Sequence, residues 1–100
     1  MLEKDIVTKI KGYLKTVPGC FAWKEHGGMY GTAGLPDLIC CYRGKFVAFE
    51  VKTPGGDGRP TGSLTKLQEI TLQRIREAKG EAFKVTSVEE VKRILRKLDG

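Results

Sequence analysis

Asp37, Glu50 and Lys52 are the residues of this sequence whose types and spacing best suit joint chemistry. Asp37 follows Pro36 and opens the run Leu38-Ile39-Cys40-Cys41-Tyr42, while Glu50 and Lys52 close the run Lys45-Phe46-Val47-Ala48-Phe49-Glu50-Val51-Lys52. Both runs carry the apolar, β-branched and aromatic residues that strands favour, and Arg43-Gly44 between them signals a two-residue hairpin loop. Pairing Tyr42 with Lys45 fixes the register and sets Asp37 opposite Glu50. Directly opposed side chains lie roughly 5 Å apart, so two like charges there repel and call for a positive group between them. The strand period of two puts Lys52 on the Glu50 side, next to an otherwise apolar face of Ala48, Phe46, Ile39 and Cys41. A hard divalent cation such as Mg²⁺, which takes oxygen ligands at about 2.1 Å and keeps several waters, would relieve the repulsion and leave positions open for a phosphate.

Taken singly, Asp37 is a strand start after a proline turn, and Glu50 and Lys52 are a solvated strand end. Together on one face, beside apolar neighbours, they make a candidate site. Pro36-Asp37, a strand-and-turn spacer and then Glu50-Val51-Lys52 resemble the PD-(D/E)xK nuclease motif. The surrounding Gly34-Leu35-Pro36-Asp37-Leu38 and the downstream Gln68 are similar to its VRR-NUC (virus-type replication and repair nuclease) branch, over a stretch from the first helix to about Gly80. The motif is short and degenerate, so its specificity comes from the strand context and from Gln68 opening the next helix. The resemblance implies that Asp37 and Glu50 bind Mg²⁺ or Mn²⁺ with help from the Val51 carbonyl. It also implies that Lys52 orients the attacking water or stabilises charge on the phosphate, and that Gln68 assists positioning.

The elements that must carry these residues follow from periodicity. Leu2, Ile6, Val7, Ile10, Leu14 and Val17 recur at helical spacing over residues 2 to 17, with Pro18-Gly19 as the stop. Glu3 lies on that apolar stripe and is expected to look inward. Two roles stay open for it: an acid favoured by the helix N-terminal dipole, or the first-helix acid that joins the metal site in relatives of the family. Cys20-Phe21-Ala22-Trp23-Lys24 is a short strand, and His26 to Gly34 is a glycine-rich loop feeding Pro36-Asp37. That loop would bring Tyr30, Thr32 and His26 near the metal face, against a phosphate or a base. It lacks the Gly-Lys-Ser/Thr ending of a Walker A loop, and His26 fits an exposed loop histidine better than a catalytic base.

A second loop, Thr53 to Gly62, is too rich in glycine and proline for regular structure and carries Arg59 beside the site. Arg59, together with Tyr30, Thr32 and Lys66, is a candidate nucleic-acid contact. Residues 64 to 79 form a helix with Leu67, Ile70, Thr71, Ile75 and Ala78 along one stripe and Gly80 as its stop. Thr65 and Gln68 have capping-box spacing, so a cap and the site compete for the Gln68 amide; the adjoining strand favours the site. Glu81 to Val85 is a strand joined through the helix by a right-handed crossover and paired parallel to residues 46 to 52. Ser87 and Glu90 form a second capping box, and Val88, Val91, Ile94, Leu95 and Leu98 give the last helix its buried stripe.

One hundred residues allow one domain, residues 1–100, with 40% hydrophobic and 30% charged residues. The apolar runs fall far short of a membrane span, and Met1-Leu2-Glu3 lacks a signal-peptide start, which points to the cytoplasm of a bacterial or phage-infected cell. A net charge of +6 and a pI near 9.4 favour an anionic partner. Cys20, Cys40 and Cys41 show no CxxC spacing and are expected to be reduced core residues, and His26 is the only histidine, which excludes a multi-histidine zinc site in one chain.

The order α-β-β-β-α-β-α gives an α/β fold, a restriction-endonuclease-like core with a mixed four-stranded sheet flanked by helices. The activity implied is a metal-dependent DNA endonuclease. Little surface remains for reading sequence, and stand-alone VRR-NUC members resemble junction resolvases, so branched DNA such as four-way (Holliday) junctions and a homodimer are the expected substrate and assembly. Two other readings are a non-catalytic nucleic-acid-binding module and a nuclease acting mainly on single-stranded DNA or RNA.

Overall fold

The computed structural model describes residues 1–26, 33–54 and 62–100. Tyr30, Thr32 and Arg59 lie outside the described residues. Seven elements run in the order α1 (Glu3–Leu14), β1 (Cys20–Lys24), β2 (Leu38–Tyr42), β3 (Lys45–Val51), α2 (Lys66–Glu77), β4 (Glu81–Val85) and α3 (Val88–Asp99). The strands form one mixed sheet in the order β1-β2-β3-β4, antiparallel except for the β3–β4 pair. This is the expected α/β architecture.

Register follows from turn chemistry. Arg43 and Gly44 both have positive φ, 49° and 85°, the backbone that a tight two-residue hairpin loop demands. Tyr42 therefore pairs with Lys45 and Leu38 with Phe49, and the same register carried one step further faces Asp37 to Glu50. The parallel β4 sets Ala82 beside Ala48 and Lys84 beside Glu50.

The two faces of the sheet are packed differently. Leu38, Cys40, Tyr42, Val47, Phe49 and Val51 project toward α1 and α3 and join Ile6, Ile10, Leu14, Val91 and Leu95 in the main core. Phe49 stacks on Phe83, with centroids 6.1 Å apart. The apolar core of the other face is small, Ile39, Ala48, Ala82 and Leu72 of α2 with Leu64 and Ile75 at the margin. The end of α3 is tied to the hairpin: the Tyr42 hydroxyl donates to the Asp99 carboxylate at 2.7 Å, and Lys45 Nζ donates to the Leu98 carbonyl at 2.7 Å.

Helix ends depart from the sequence reading in instructive ways. The first helix stops at Leu14, ahead of Pro18-Gly19, because turns through Thr16 and Val17 take over its last carbonyls. Leu2 precedes the helix and is 61% exposed, so it does not belong to the buried stripe. The second helix starts at Lys66, after its cap Thr65, rather than at Leu64. At its end Lys79, not Gly80, takes the left-handed conformation (φ 74°), and its N–H and that of Gly80 close onto the carbonyls of Arg76 and Ile75. Gly80 matters for space: a Cβ there would lie 2.9 Å from Ile75 and 3.2 Å from Phe46.

The second capping box is half formed. Ser87 accepts from the Glu90 N–H, but the Glu90 carboxylate turns back to the backbone and hydroxyl of Thr86 instead of to Ser87. Thr86 offers two donors, its N–H and its hydroxyl, to one carboxylate oxygen.

Candidate active site

Glu50 ends the apolar face of β3 and is 3% exposed, the only charged residue buried in the described core. Its Oε2 has no hydrogen-bond partner among the described residues. A buried carboxylate without a partner is costly, so the local environment must either protonate it or supply a cation. Burial is the first cause that pushes its pKa up from 4.5 to about 8. The hydrogen bond from its protonated carboxyl to Asp37 and the Asp37 charge add to this, Lys52 opposes it, and Glu3 contributes a smaller push.

Asp37 is oriented by the backbone. Its Oδ2 accepts the Val51 N–H at 2.7 Å, and its own carbonyl accepts the Glu25 N–H at 2.9 Å. Pro36 before it is fully buried. One step further back, Gly34 has φ 78° and no room for a side chain: a Cβ would fall 2.6 Å from Leu67 Cγ and 2.9 Å from Thr71 Oγ1 of α2. The segment that delivers Asp37 is thus wedged between α2 and the sheet.

Lys52 continues the β3–β4 ladder, its N–H donating to the Val85 carbonyl at 2.9 Å, and its side chain is half-buried near enough to Glu50 for its charge to be felt there. The hairpin therefore brings Asp37, Glu50 and Lys52 together as the register requires. Val51 is buried and committed to Asp37 through its N–H.

Glu3 does not look inward: it is exposed, although Glu50 senses its charge. Among the described residues no group of three His, Cys, Asp or Glu stands close enough to hold a metal ion. The nearest arrangement is the Asp37–Glu50 pair with Glu3 at a distance. Lys66 is the first residue of α2 and is exposed.

Gln68 is used by the cap. Its Oε1 accepts the Thr65 N–H at 2.9 Å while its N–H donates to Thr65 Oγ1 at 3.1 Å, closing a reciprocal box at the N-terminus of α2. The carbonyl end of the amide goes to the cap, three residues away, since a local partner costs little chain ordering. The Nε2 end has no protein partner among the described residues.

One residue near the site was missed. Lys84 pairs with Glu50 across the parallel β3–β4 ladder, half-buried on the same face and without an ion pair among the described residues. The sequence signal was the expected parallel pairing itself, extended to its register. The cysteines are free, Cys40 buried and Cys20 half-buried, but Cys41 is exposed rather than part of the core, because its strand face is not covered by α2; burial lifts the Cys40 thiol to about 12.

The pair of opposed carboxylates at the end of a hairpin, with a lysine two residues on, sits on a sheet seen in solved structures. One, described as a VRR_NUC domain, superposes with a TM-score of 0.69 at 22% identity, covering 94% of each chain. A second, described as a VRR_NUC domain protein, gives 0.70 at 16% identity, covering 97% of this chain and 87% of that one. This chain has the VRR_NUC fold. No protein-family model matches the sequence, and no curated protein matches it significantly. Within the VRR_NUC fold, Asp37, Glu50 and Lys52 are gathered by one hairpin and one crossover, so topology alone suffices to place them. No helix among the described residues is long and apolar enough to cross a membrane.

Proposed function

We propose that this chain is a member of the VRR-NUC family and acts as a divalent-metal-dependent DNA endonuclease. The observation that carries the reading is the buried Glu50 oxygen without a partner, facing Asp37. Such a donor set fits Mg²⁺ or Mn²⁺, which prefer carboxylate and carbonyl oxygens. Asp37 and Glu50 would hold the ion, with the Val51 carbonyl and Glu3, through intervening water, as further oxygen donors. A bound divalent cation supplies Lewis acidity toward water and positive charge against the phosphate.

The residues themselves do the rest. The Val51 N–H fixes the rotamer of Asp37, so one carboxylate is pre-aimed before any ligand arrives. Glu50 would hold a bound cation as its carboxylate, so the proton that burial favours would pass to solvent and loading would favour alkaline pH. Lys52, beside Glu50, holds a positive charge where negative charge grows on the phosphate during hydrolysis. The Nε2 end of Gln68 can donate to water or phosphate without breaking its cap. Lys66, with Tyr30, Thr32 and Arg59, would contact the DNA backbone, toward which the net charge of +6 steers the polyanion.

The small surface left for sequence reading supports structure-selective cleavage of branched DNA, four-way junctions in particular, by a homodimer that presents two sites to two strands. The test is cleavage of labelled junction, flap, linear duplex and single-stranded DNA with Mg²⁺ or Mn²⁺, by wild type, Glu50→Ala and Lys52→Ala. Symmetric junction nicks abolished by EDTA and by either substitution are expected, whereas cleavage of linear duplex at an equal rate removes the junction preference. A second reading, a binding module without catalysis, draws on the lack of a third close ligand among the described residues. Binding of every substrate with no cleavage under any metal establishes it.

A further inference from the structure

The helix α2 covers only one half of its side of the sheet. Over the other half, Phe21 pairs with Cys41 and Cys41 with Phe46, giving a row across β1, β2 and β3 in which all three side chains are exposed. Phe21 is 71% exposed and packs against Trp23, centroids 5.7 Å apart. The row runs into a groove of about 470 Å³ beside α2, lined by Phe46, Leu67, Ile70 and Ile75 among others. Leu67 and Ile70, which belong to the apolar stripe of α2, are 48% and 44% exposed, so that stripe points partly into this groove and not only at the sheet.

We propose that a second copy of this chain docks on this strip, with Phe21 of each copy entering the groove of the other. The inference rests on the homodimer of the proposed function and names its surface. Area is the first argument. Given about 150–250 Å² per aromatic side chain, the exposed parts of Phe21, Trp23, Phe46, Leu67 and Ile70 leave on the order of 450 Å² of apolar surface in water. That is close to the apolar share of the roughly 800 Å² that each partner contributes to a stable pair. Charge is the second argument. Two copies at +6 repel over most of their surfaces, whereas the Phe21–Cys41–Phe46 row carries no charge and, among the described residues, Arg74 is the one charged residue lining the groove.

Shape is the third argument. A protruding ring and an apolar groove on one surface are self-complementary, which is what a two-fold contact requires. Phe46 and Glu50 point from the same face of β3 about 13 Å apart along the strand, so docking here buries neither carboxylate and sets two sites at a fixed separation.

Cys41, the exposed cysteine at the middle of the row, is a built-in reporter. The experiment is sedimentation velocity on wild type, Phe21→Ser, Phe46→Ser and, on the far side of the molecule, Arg93→Glu. Maleimide labelling of Cys41 is followed in parallel as protein concentration rises. Wild type and Arg93→Glu are expected to dimerise, with Cys41 labelling slowing as concentration rises. Phe21→Ser and Phe46→Ser should weaken dimerisation at least about tenfold, and Cys41 labelling should lose its concentration dependence. Phe21 is so exposed that its replacement leaves the melting transition in place, which separates loss of the dimer from loss of the fold.

A wild type that stays monomeric overturns the proposal. So do dimers that survive both phenylalanine substitutions with Cys41 freely labelled, and a loss of DNA binding in Phe21→Ser with the dimer intact. Cleavage of four-way junction DNA by the same samples is read separately. Its absence in wild type counts against the nuclease and leaves the sedimentation result standing.

Discussion

The two sides of the sheet are built to opposite specifications. Toward α1 and α3, Leu38, Cys40, Tyr42, Val47, Phe49 and Val51 of β2 and β3 are excluded from water, and on that face of the two strands only Lys45 beside the turn is exposed. Toward α2, the same strands present a short apolar centre of Ile39 and Ala48, a buried carboxylate at one end and the exposed ring of Phe46 at the other, beside Phe21 of β1. One face supplies the stability that the other gives up. A carboxylate without a partner and a row of wet phenyl rings both cost free energy in the isolated chain, and a small domain tolerates them only above a well-filled core on the reverse side.

That contrast is broken most severely from the packed side. Phe49→Ala removes a fully buried ring that stacks on Phe83 and is expected to cost about 3–5 kcal/mol in urea unfolding. The molecules that remain folded should keep their metal affinity. A Phe49→Ala protein that is only slightly destabilised would mean that the two faces share the load, and the division drawn here would fail.

Glu50→Gln tests the other face, and with the opposite sign. Glu50 titrates near 4.5 when unfolded and near 8 when folded, so between those values the folded state holds the extra proton. Stability from this group is therefore complete below about pH 4.5 and is lost as pH rises through about 8 in metal-free protein. Replacing the carboxyl by an amide removes that slope and should raise metal-free stability at pH 8 by up to about 3 kcal/mol, while abolishing DNA cleavage. Urea titrations at pH 5 and pH 8 with EDTA measure it: parallel pH profiles for wild type and variant would refute the buried-proton account. Adding Mg²⁺ should restore wild-type stability at pH 8 and do little for the variant.

Gly34→Ala lies at the junction of the two regimes. The substitution meets both a positive φ and a 2.6 Å contact with Leu67, and is expected to cost about 1–3 kcal/mol. Because Gly34 leads through buried Pro36 to Asp37, weaker Mg²⁺ binding by calorimetry should accompany the lost stability. Unchanged binding would show that Asp37 is placed by the Val51 N–H alone.

What the sequence made legible follows from how local each cause is. The Arg43-Gly44 turn and the period-two runs sufficed for the β2–β3 register, and so for the approach of Asp37 to Glu50, since a one-residue slip would turn Val47 and Phe49 to the wrong face. The parallel pairing of β4 was legible from the helix between the strands. The Tyr42–Asp99 tie was not, because it joins residues 57 apart with no pattern between them. Nor was exposure along the α2 stripe: Leu67 and Ile70 have the spacing of core residues, but spacing says which way a side chain points and not whether anything covers it. Glu3 failed for the same reason, being in phase with Ile6 and Ile10 yet one turn too early to reach the interior.

The smallest expected effect concerns Gln68, where a cap and a site draw on one amide. Thr65→Ala removes the hydroxyl that accepts the Gln68 N–H and is expected to cost about 1 kcal/mol, the usual worth of such a cap. It leaves the Gln68 side chain itself intact and loosens its tie to residue 65. Gln68→Ala removes the other half of the box, so if Gln68 serves only the helix, both variants should lose similar stability and neither should change the rate of DNA cleavage per folded molecule. If its Nε2 also serves the site, Gln68→Ala slows cleavage about tenfold more than its stability loss explains, while Thr65→Ala does not. Equal kinetics in the two variants would leave Gln68 to the helix, and the catalytic group would contract to Asp37, Glu50 and Lys52 on a single hairpin.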